Sequence, residues 1–219
     1  MTSARTSRKS PSERTAEIHT AARRLALESG LSALTLRSVA AEAGVTPALV
    51  AHYTETMDAL VAETFSWLTG QELAEVSARV LAQTSATRRL TALCSLLLDG
   101  ERNEITLIWV EGWALGHHNQ QLSAAVRDQM ELWQRLVAAV IEEGVASGEF
   151  HTPSPALAAW QLIGMIDGLN AQALVAHPDG GPRGSLIGSA VEGMLQMTPG
   201  ALTDLRSAAS AYAVRDADS

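Results

Sequence analysis

Apolar residues recur at spacings of three and four along most of the chain, a period typical of amphipathic α-helices. The pattern is clearest near the N-terminus, where Leu36, Val39, Ala40 and Ala43 would form the buried stripe of a short helix. No segment shows the alternating apolar and polar period of a β-strand, and no internal repeat is present. The pattern therefore predicts an all-α fold.

Two short helices joined by a tight turn are predicted between Thr35 and Tyr53. Thr35 and Thr46 can each cap a helix, because a threonine hydroxyl accepts a hydrogen bond from a free N–H of the first turn. Gly44 lies where the chain needs a left-handed residue to leave the first helix, and Pro47 takes the first position of the second. Two such short helices need a third to pack on, which is the pattern of a helix-turn-helix that offers its second helix to a DNA major groove.

A third helix that can cover this pair is predicted directly before it. Ser10 and Glu13 have the spacing of a capping box, with Pro11 at the first helical position. Gly30 is placed to end this helix, and Leu31 and Leu34 would fill the junction that follows. Its apolar stripe consists of Ile18, Ala21, Ala22, Leu25 and Ala26.

Six further helices are predicted in the remainder, which brings the total to about nine. Turn signals at Asp99-Gly100 and His177–Pro182 separate some of them. Residues 1–10 are polar and lack an apolar period, so they are expected to form a disordered basic arm that reaches DNA or, alternatively, a solubilising tail. The six helices are expected at about residues 56–83, 87–98, 102–117, 121–147, 154–176 and 184–197.

Composition narrows the class of protein. Of 219 residues, 47% are hydrophobic, which is enough for a core, and the single cysteine, Cys94, excludes an internal disulfide and a zinc cluster. No apolar run approaches the roughly 18 residues of a membrane span, and the basic N-terminus lacks the apolar core of a secretory signal. We therefore expect a cytoplasmic protein without a membrane partner.

Charge is distributed unevenly along the chain. The net charge is −8, yet residues 1–60 hold seven basic side chains against six acidic ones, and the remainder holds nine against eighteen. A locally basic N-terminal head, within residues 1–60, followed by an acidic body suits a protein that contacts DNA through one end. A mixed solvated surface would give the same distribution, so the charge supports the DNA hypothesis without deciding it.

Signatures of catalysis are absent from the sequence. Glu111, His117, His118 and Asp128 do not have the spacing of metal ligands on one helix face. Cys94 lies in an apolar run with no histidine nearby, and there is neither a phosphate-binding glycine loop nor a nucleophile elbow. We expect neither an enzyme, nor a metal, nor a cofactor.

Several short segments of the sequence match those of a known family. They are Leu34–Ala40, Ala43–Pro47, His52–Tyr53 and Asp58–Leu60 in the N-terminal head, and Trp109–Glu111, Gly148–Phe150 and Ile166–Leu169 in the C-terminal body. Through these segments the head resembles the DNA-binding domain of TetR-family regulators. The body is loosely similar to the choline-responsive BetI-like branch of that family.

This resemblance implies a homodimer that acts as a ligand-responsive transcriptional repressor. Residues 11–55 would form the helix-turn-helix domain, which binds a palindromic operator in double-stranded DNA. Residues 56–198 would form a ligand-binding and dimerisation domain, followed by a tail over residues 199–219. A small-molecule effector would release the protein from DNA.

The resemblance also implies which residues meet DNA. Arg37 matches a position that contacts phosphate or a base edge, Thr46 and Tyr53 match phosphate contacts, and Ala48, Leu49 and His52 lie where base edges are met. By its own chemistry, Arg37 can make a bidentate contact to guanine and His52 can bond a base or a phosphate. A half-exposed His52 without a role and a core Tyr53 are the alternatives. The predicted DNA-binding set is Arg37, Thr46, Pro47, Ala48, Leu49, His52 and Tyr53.

Three positions depart from the family pattern. Ala51 stands where a tyrosine usually clamps the phosphate backbone, Thr54 replaces an aromatic residue, and Met57 replaces a phosphate-pairing lysine. Each lost charged contact lowers the salt slope of binding by about one unit. The alternative function is therefore a protein–protein adaptor of the same fold that has lost DNA binding.

All five tryptophans lie outside the head. Trp109 and Trp113 share a helix face, and Trp133 lies with Met130 on the next helix. Aromatic walls suit flat apolar effectors, and with a carboxylate they also suit cations, whereas a purely structural core is the alternative. The predicted effector-binding residues are Trp67, Trp109, Trp113, His117, Met130, Trp133, Asp167 and Asn170.

A dimer interface is predicted from the last two strong helices. Gly164 and Gly168 share one helix face, and small residues there let another helix approach closely. Packing within one subunit is the alternative. The predicted interface residues are Trp160, Gly164, Gly168, Ala171, Leu186 and Met194.

Overall fold

The computed structural model describes residues 10–98, 102–175, 183–202 and 205. Within these ranges the chain forms nine α-helices and one 3₁₀ turn, Leu31–Ala33, and no β-strand, which confirms the all-α prediction. The helices are α1 (Pro11–Ser29), α2 (Leu36–Glu42), α3 (Pro47–Tyr53), α4 (Met57–Leu81), α5 (Ala86–Leu97), α6 (Asn103–Gly116), α7 (Gln120–Ser147), α8 (Pro155–Ala173) and α9 (Arg183–Met194).

Each predicted helix begins and ends within a few residues of its expected bounds. Four predictions fall outside the described residues. These are the basic arm over residues 1–9, the turn at Asp99-Gly100, the loop His177–Pro182, and the tail beyond residue 202 apart from Leu205.

Local caps fix the start and the end of α1. The Ser10 hydroxyl accepts a hydrogen bond from the Glu13 N–H at 3.2 Å, and the Glu13 carboxylate accepts one from the Ser10 N–H at 2.6 Å. This is the predicted capping box, which satisfies two backbone donors at once. Gly30 ends the helix with a φ of 84°, a conformation that favours glycine.

The two short helices are capped as the sequence predicts. Thr35 accepts from the Ser38 N–H at 3.1 Å, and Thr46 accepts from the Leu49 N–H at 3.3 Å. The Ser38 hydroxyl lies 2.9 Å from the Thr35 nitrogen and completes a second capping box that sequence inspection missed. Gly44, with a φ of 65°, makes the left-handed turn between the helices.

The chain divides into two compact units. The first comprises the described residues up to Leu68 together with Ile108–Arg127, and the second comprises Thr69–Leu107 and the described residues from Asp128 onward. Helices α4, α6 and α7 contribute residues to both. The boundary between the helix-turn-helix domain and the ligand-binding domain, expected between residues 55 and 56, therefore stays a prediction.

In the first unit, α1, the 3₁₀ turn, α2 and α3 pack on one another. Their contact surface is apolar, and full burial of an aliphatic side chain contributes about 1.5–3 kcal/mol. The buried residues of the head are Ile18, Ala21, Ala22, Ala26, Leu31, Leu34, Val39, Ala40 and Val50.

A second close contact in this unit joins α4 and α6. The fully buried ring of Phe65 lies against Gly112, where an added Cβ would come within 2.6 Å of the ring.

In the second unit, α9 packs against α8 and α5. The segment after α7 acquires a structural role that its sequence did not indicate. Gly148 turns the chain with a φ of 77°, and the Glu149 carboxylate accepts hydrogen bonds from the N–H groups of Ala86 at 3.2 Å and Thr87 at 2.9 Å. The bond from Thr87 holds the pKa of Glu149 below its usual value. Glu149 thereby caps the start of α5.

Phe150 is buried against Gly144 of α7. Glycine is unfavourable in the interior of a helix, yet α7 continues through Gly144 to Ser147. The glycine is required by packing, because a Cβ there would overlap the Phe150 ring.

None of the described helices is both long enough and apolar enough to span a bilayer.

Gly144→Ala is expected to lower the free energy of unfolding by about 1–2 kcal/mol. Displacing the Phe150 ring costs about 1–3 kcal/mol, and the better helix propensity of alanine returns up to about 1 kcal/mol. Urea unfolding followed by circular dichroism, at equal protein concentrations, measures the difference. Gly70→Ala in α4 is the matched control, since a Cβ there meets nothing within 4 Å, and it should be neutral or stabilising. A Gly144→Ala protein as stable as the wild type would contradict the packing argument.

Candidate functional site

Helix α3 presents a solvent-facing surface that is held in place from behind. Val50 is fully buried, and Leu49 and Tyr53 are half-buried. Ala48 and His52 are exposed on the other side of the helix. A helix of seven residues that is anchored through one face keeps its opposite face free to enter a groove.

Arg37 lies exposed in the first turn of α2. Among the described head residues 10–55, the other arginines have internal partners: Arg14 pairs with Glu17 at 2.9 Å, and Arg24 pairs with Glu42. The guanidinium of Arg23 lies over the Trp67 ring, 4.1 Å from its centroid. Arg37 has no such partner. A cation at the positive end of a helix dipole is unfavourable by itself, so this position suits an external anion.

His52 and Tyr53 form an edge-to-face pair, with ring centroids 5.0 Å apart. Neither the His52 nitrogens nor the Tyr53 hydroxyl has a hydrogen-bond partner in the described part of the chain. Tyr53 is therefore held by its ring while its hydroxyl remains available as a donor. The ring of Tyr53 is half-buried, as the alternative of a core residue expected, but its hydroxyl has no partner among the described residues and can still contact DNA.

Thr46 and Pro47 open α3, and both are exposed. The Thr46 oxygen accepts the capping hydrogen bond from Leu49, but a hydroxyl can accept and donate together. Its proton is consequently available to an acceptor outside the protein.

The three departures from the family pattern occupy different environments. Ala51 is exposed on α3, so the position can face DNA but carries no polar group. Thr54 has an internal role, because its hydroxyl donates to the Val50 carbonyl at 2.8 Å where the helix ends. Met57 is half-buried at the first position of α4.

Four of the predicted effector-binding residues belong to the first unit. The rings of Trp109 and Trp113 lie 5.8 Å apart, and Trp109 also meets the edge of Phe65 at 5.2 Å. Trp67 is 41% exposed beneath Arg23, and His117 is exposed. The structure therefore brings Trp109 and Trp113 together, whereas Trp67 and His117 lie at the surface.

Trp133 and Met130 belong to the second unit. The indole N–H of Trp133 is buried without a hydrogen-bond partner, and so is the Oε1 atom of Gln129, one helical turn earlier. Sequence inspection did not single out Gln129, because a glutamine on a helix is usually exposed. An unsatisfied buried donor costs about 1–3 kcal/mol, so a bound molecule that pairs with it would be stabilised.

Asp167 and Asn170 also lie in the second unit. Burial, together with the smaller effect of the negative charge of Glu72, raises the pKa of Asp167 to about 7. Glu72 is itself buried and lies 3.5 Å from Arg102.

The amide of Asn170 is already engaged. It donates to the Leu97 carbonyl at 2.8 Å and accepts from Arg183 at 3.3 Å. Its contacts join three helices of this unit and leave it less free for an effector.

Clusters of three or more histidine, cysteine or acidic side chains suitable for a metal do not occur among the described residues. Cys94 is fully buried, and burial raises the pKa of its thiol to about 12. This thiol is therefore neutral and unreactive at physiological pH.

The predicted dimer face is an exposed apolar surface of α8 and α9. Trp160 is 46% exposed, Leu186 is 58% exposed, and Leu157 reaches 65%. A Cβ added at Gly164 or Gly168 would meet nothing within 4 Å, so packing within the described subunit does not require these glycines. Ala171 and Met194 are half-buried. A shallow depression of about 460 Å³ lies on this surface, lined by Trp160, Gln161, Gly164, Met165, Ala190 and Met194.

Two family models match the chain. The model described as bacterial regulatory proteins of the tetR family matches residues 18–64, which contain α2 and α3. The model described as the C-terminal domain of BetI-type transcriptional repressors matches residues 86–195, half of the chain.

Individual known proteins are also similar to this chain in sequence or in structure. The chain is 29% identical over 156 residues to the HTH-type transcriptional regulator BetI of Cronobacter sakazakii, covering 67% of this chain and 72% of that protein. A solved transcriptional regulator from Pseudomonas aeruginosa PAO1 superposes with a TM-score of 0.72 at 23% identity, covering 90% of this chain and 96% of its own. A regulator from Saccharomonospora viridis, solved in complex with choline, gives a TM-score of 0.70 at 22% identity, with 88% and 95% covered. The two structural matches show a shared fold.

Proposed function

The chain belongs to the TetR family of bacterial regulatory proteins, and we propose that it is a dimeric repressor that binds a palindromic operator through α3 and is released by a small-molecule effector. Its relatives are transcriptional regulators rather than enzymes. Repression, operator symmetry and the response to an effector are the proposed properties.

The observation that carries the proposal is the set of unused polar groups on the exposed side of the head. The Arg37 guanidinium, the His52 imidazole and the Tyr53 hydroxyl have no hydrogen-bond partner in the described chain, while the apolar side of the same helices is buried. Phosphate contacts position a protein on DNA, and base contacts give it sequence specificity. Donors left unused on a rigid support are suited to both tasks.

We assign phosphate contacts to Thr46 and Tyr53, and a phosphate or guanine contact to Arg37. His52 and the exposed methyl of Ala48 are placed to meet base edges, where a methyl group suits thymine. Leu49 is half-buried and contributes to the same surface mainly by supporting it, and Pro47 begins the helix.

DNA binding by this head depends on few charges. Ala51 offers no polar group, Thr54 bonds internally and Met57 has no charge. Fewer neutralised phosphates give a shallower dependence of affinity on salt. The protein should therefore bind more weakly than a fully charged head at low salt, but lose less affinity as salt rises.

The exposed face of α8 and α9 is proposed as the dimer interface. Large apolar side chains at such a surface mark interaction sites, and glycines without neighbours permit a second helix to approach. A two-fold dimer places two copies of α3 on one side of the duplex, one helical turn apart.

A small cation is the effector class that we favour. In the first unit, Trp109 and Trp113 present ring faces, which attract cations. As a separate candidate site within the second unit, Asp167 and Glu72 provide the negative charge with which a cation would pair. The solved regulator from Saccharomonospora viridis binds choline, a quaternary ammonium compound, within the same fold. Flat apolar molecules are the competing class for the tryptophan pair.

Arg37→Ala and Tyr53→Phe are each expected to weaken operator binding by at least about 1 kcal/mol, because each removes one contact to DNA. Fluorescence anisotropy on a duplex selected from a random-sequence library measures the affinity. Arg37→Ala should also lower the salt slope by about one unit. Arg88→Ala, which removes an exposed arginine from α5, is the matched control and should bind as the wild type does. Wild-type affinity in both head variants would show that α2 and α3 do not meet DNA as assigned.

Leu157→Glu and Trp160→Glu are expected to convert the dimer into monomers, because each would place a charge in an apolar interface. Sedimentation velocity gives the oligomeric state. Leu81→Glu serves as control, since Leu81 is 56% exposed at the end of α4 and is not a residue of the proposed α8 and α9 interface. Dimers that survive both α8 substitutions would place the interface elsewhere.

Choline is expected to bind more tightly at higher pH. Because the pKa of Asp167 is raised to about 7, its carboxyl is mostly neutral at pH 6 and mostly ionised at pH 8. A cation that pairs with the ionised form should gain about tenfold in affinity over this interval. Isothermal titration calorimetry measures the change.

The controls for this titration separate charge from shape. Asp167→Asn should abolish the pH dependence, and the uncharged isostere of choline, in which carbon replaces nitrogen, should show none. Choline binding that is independent of pH would remove Asp167 from the effector site. Failure of choline to bind at either pH would count against a quaternary amine.

A further inference from the structure

Glu111 of α6 is hydrogen-bonded to the DNA-binding head within the first unit. Its carboxylate accepts from the Ser32 hydroxyl at 2.6 Å and from the Ser32 N–H at 3.1 Å. Ser32 is the central residue of the 3₁₀ turn between α1 and α2. These two charge-assisted bonds join residues 79 positions apart in the chain and are stronger than neutral ones.

The fit at this contact is close. Gly30 precedes the turn with a φ of 84°, and an added Cβ there would lie 2.8 Å from the Glu111 carboxyl carbon. The backbone conformation therefore favours glycine. A side chain at this position would also force the Glu111 carboxylate to move from its present place.

A short series of bonds continues from the turn into α2. The Ser38 hydroxyl of α2 donates to the carbonyl of Ala33, the last residue of the turn, at 2.6 Å. Arg37 is the neighbour of Ser38 in the same helical turn. Since Ser32 and Ala33 are adjacent in the 3₁₀ turn, the Glu111–Ser32 and Ser38–Ala33 bonds connect Glu111 to the helix that carries Arg37.

Helix α6 also bears the tryptophan pair. Trp109 and Trp113 each lie two residues from Glu111, and successive helix residues are about 100° apart, so the pair and the carboxylate occupy roughly opposite faces. Trp109 packs on Phe65, and Gly112 lies against the same ring. A molecule that shifts α6 from its tryptophan face would therefore move Glu111 on the other.

We propose that Glu111 is a positioning residue, and that its bonds to Ser32 transmit displacements of α6 to the helix-turn-helix. The proposal rests on the proposed function, because it presumes that the head binds DNA. Coupling between two sites is reciprocal. Operator DNA must then alter the surroundings of Trp109 and Trp113, and this consequence can be measured without an identified effector.

The test uses full-length protein labelled with 5-fluorotryptophan and fluorine NMR, which gives a separate signal for each of the five tryptophans. Trp109→Phe and Trp113→Phe assign the two signals of interest. A duplex selected from a random-sequence library is added to saturation. In the wild type, the signals of Trp109 and Trp113 should shift on binding.

Glu111→Ala should retain DNA binding and lose these shifts, whereas Ser32→Ala, which leaves the backbone N–H bond to Glu111, should retain DNA binding and reduce them. Ser32→Ala removes one hydroxyl from an exposed residue, so it tests the link even if loss of Glu111 impairs folding. Glu104→Gln, which changes an exposed carboxylate on the same helix, should shift as the wild type does.

Other outcomes separate this proposal from the proposed function. A wild-type protein that binds no duplex would overturn DNA binding itself. A wild type that binds DNA without a shift at Trp109 or Trp113 would overturn the link. A full shift in the Glu111→Ala and Ser32→Ala variants would overturn it as well.

Discussion

Two helices of seven residues each cannot hold their shape alone in water, so the DNA-facing surface depends on the apolar core beneath it. Val39 and Val50 supply that core from α2 and α3, and Ile18 and Leu31 supply it from α1 and the 3₁₀ turn. The threonine caps and the turn at Gly44 then fix where each helix starts and stops. Because the core, the caps and the turn determine the backbone, the exposed side chains Arg37 and His52 are not needed for folding and remain available to bind DNA.

Helix α6 combines two roles on its opposite faces. Its residues Trp109 and Trp113 form an aromatic pair on one face, while Glu111 on the other holds the turn that leads into α2. A single helix thus carries the proposed ligand surface and contacts the DNA-binding head within the first unit. In a regulator, such an arrangement allows one rigid element to favour one of two states of the head, which is what coupling between distant sites requires.

Features that depend on neighbours in sequence could be predicted, and features that depend on distant neighbours could not. The Thr35 and Thr46 caps and the left-handed Gly44 were all evident, because capping and glycine conformation are local effects. The bond from Ser32 to Glu111 joins segments whose proximity only the tertiary fold creates. The contact between Trp67 and Arg23 at the surface could not be predicted either, because it joins two helices that are distant in sequence.

Hydroxyl-radical footprinting on a selected duplex tests most directly whether a two-fold dimer docks two copies of α3 into successive major grooves. We expect two protected patches related by a two-fold axis, with centres one helical turn apart, about 34–36 Å. A single protected patch, or protection spread evenly along the duplex, would contradict it. The adaptor alternative would leave every position of the duplex unprotected.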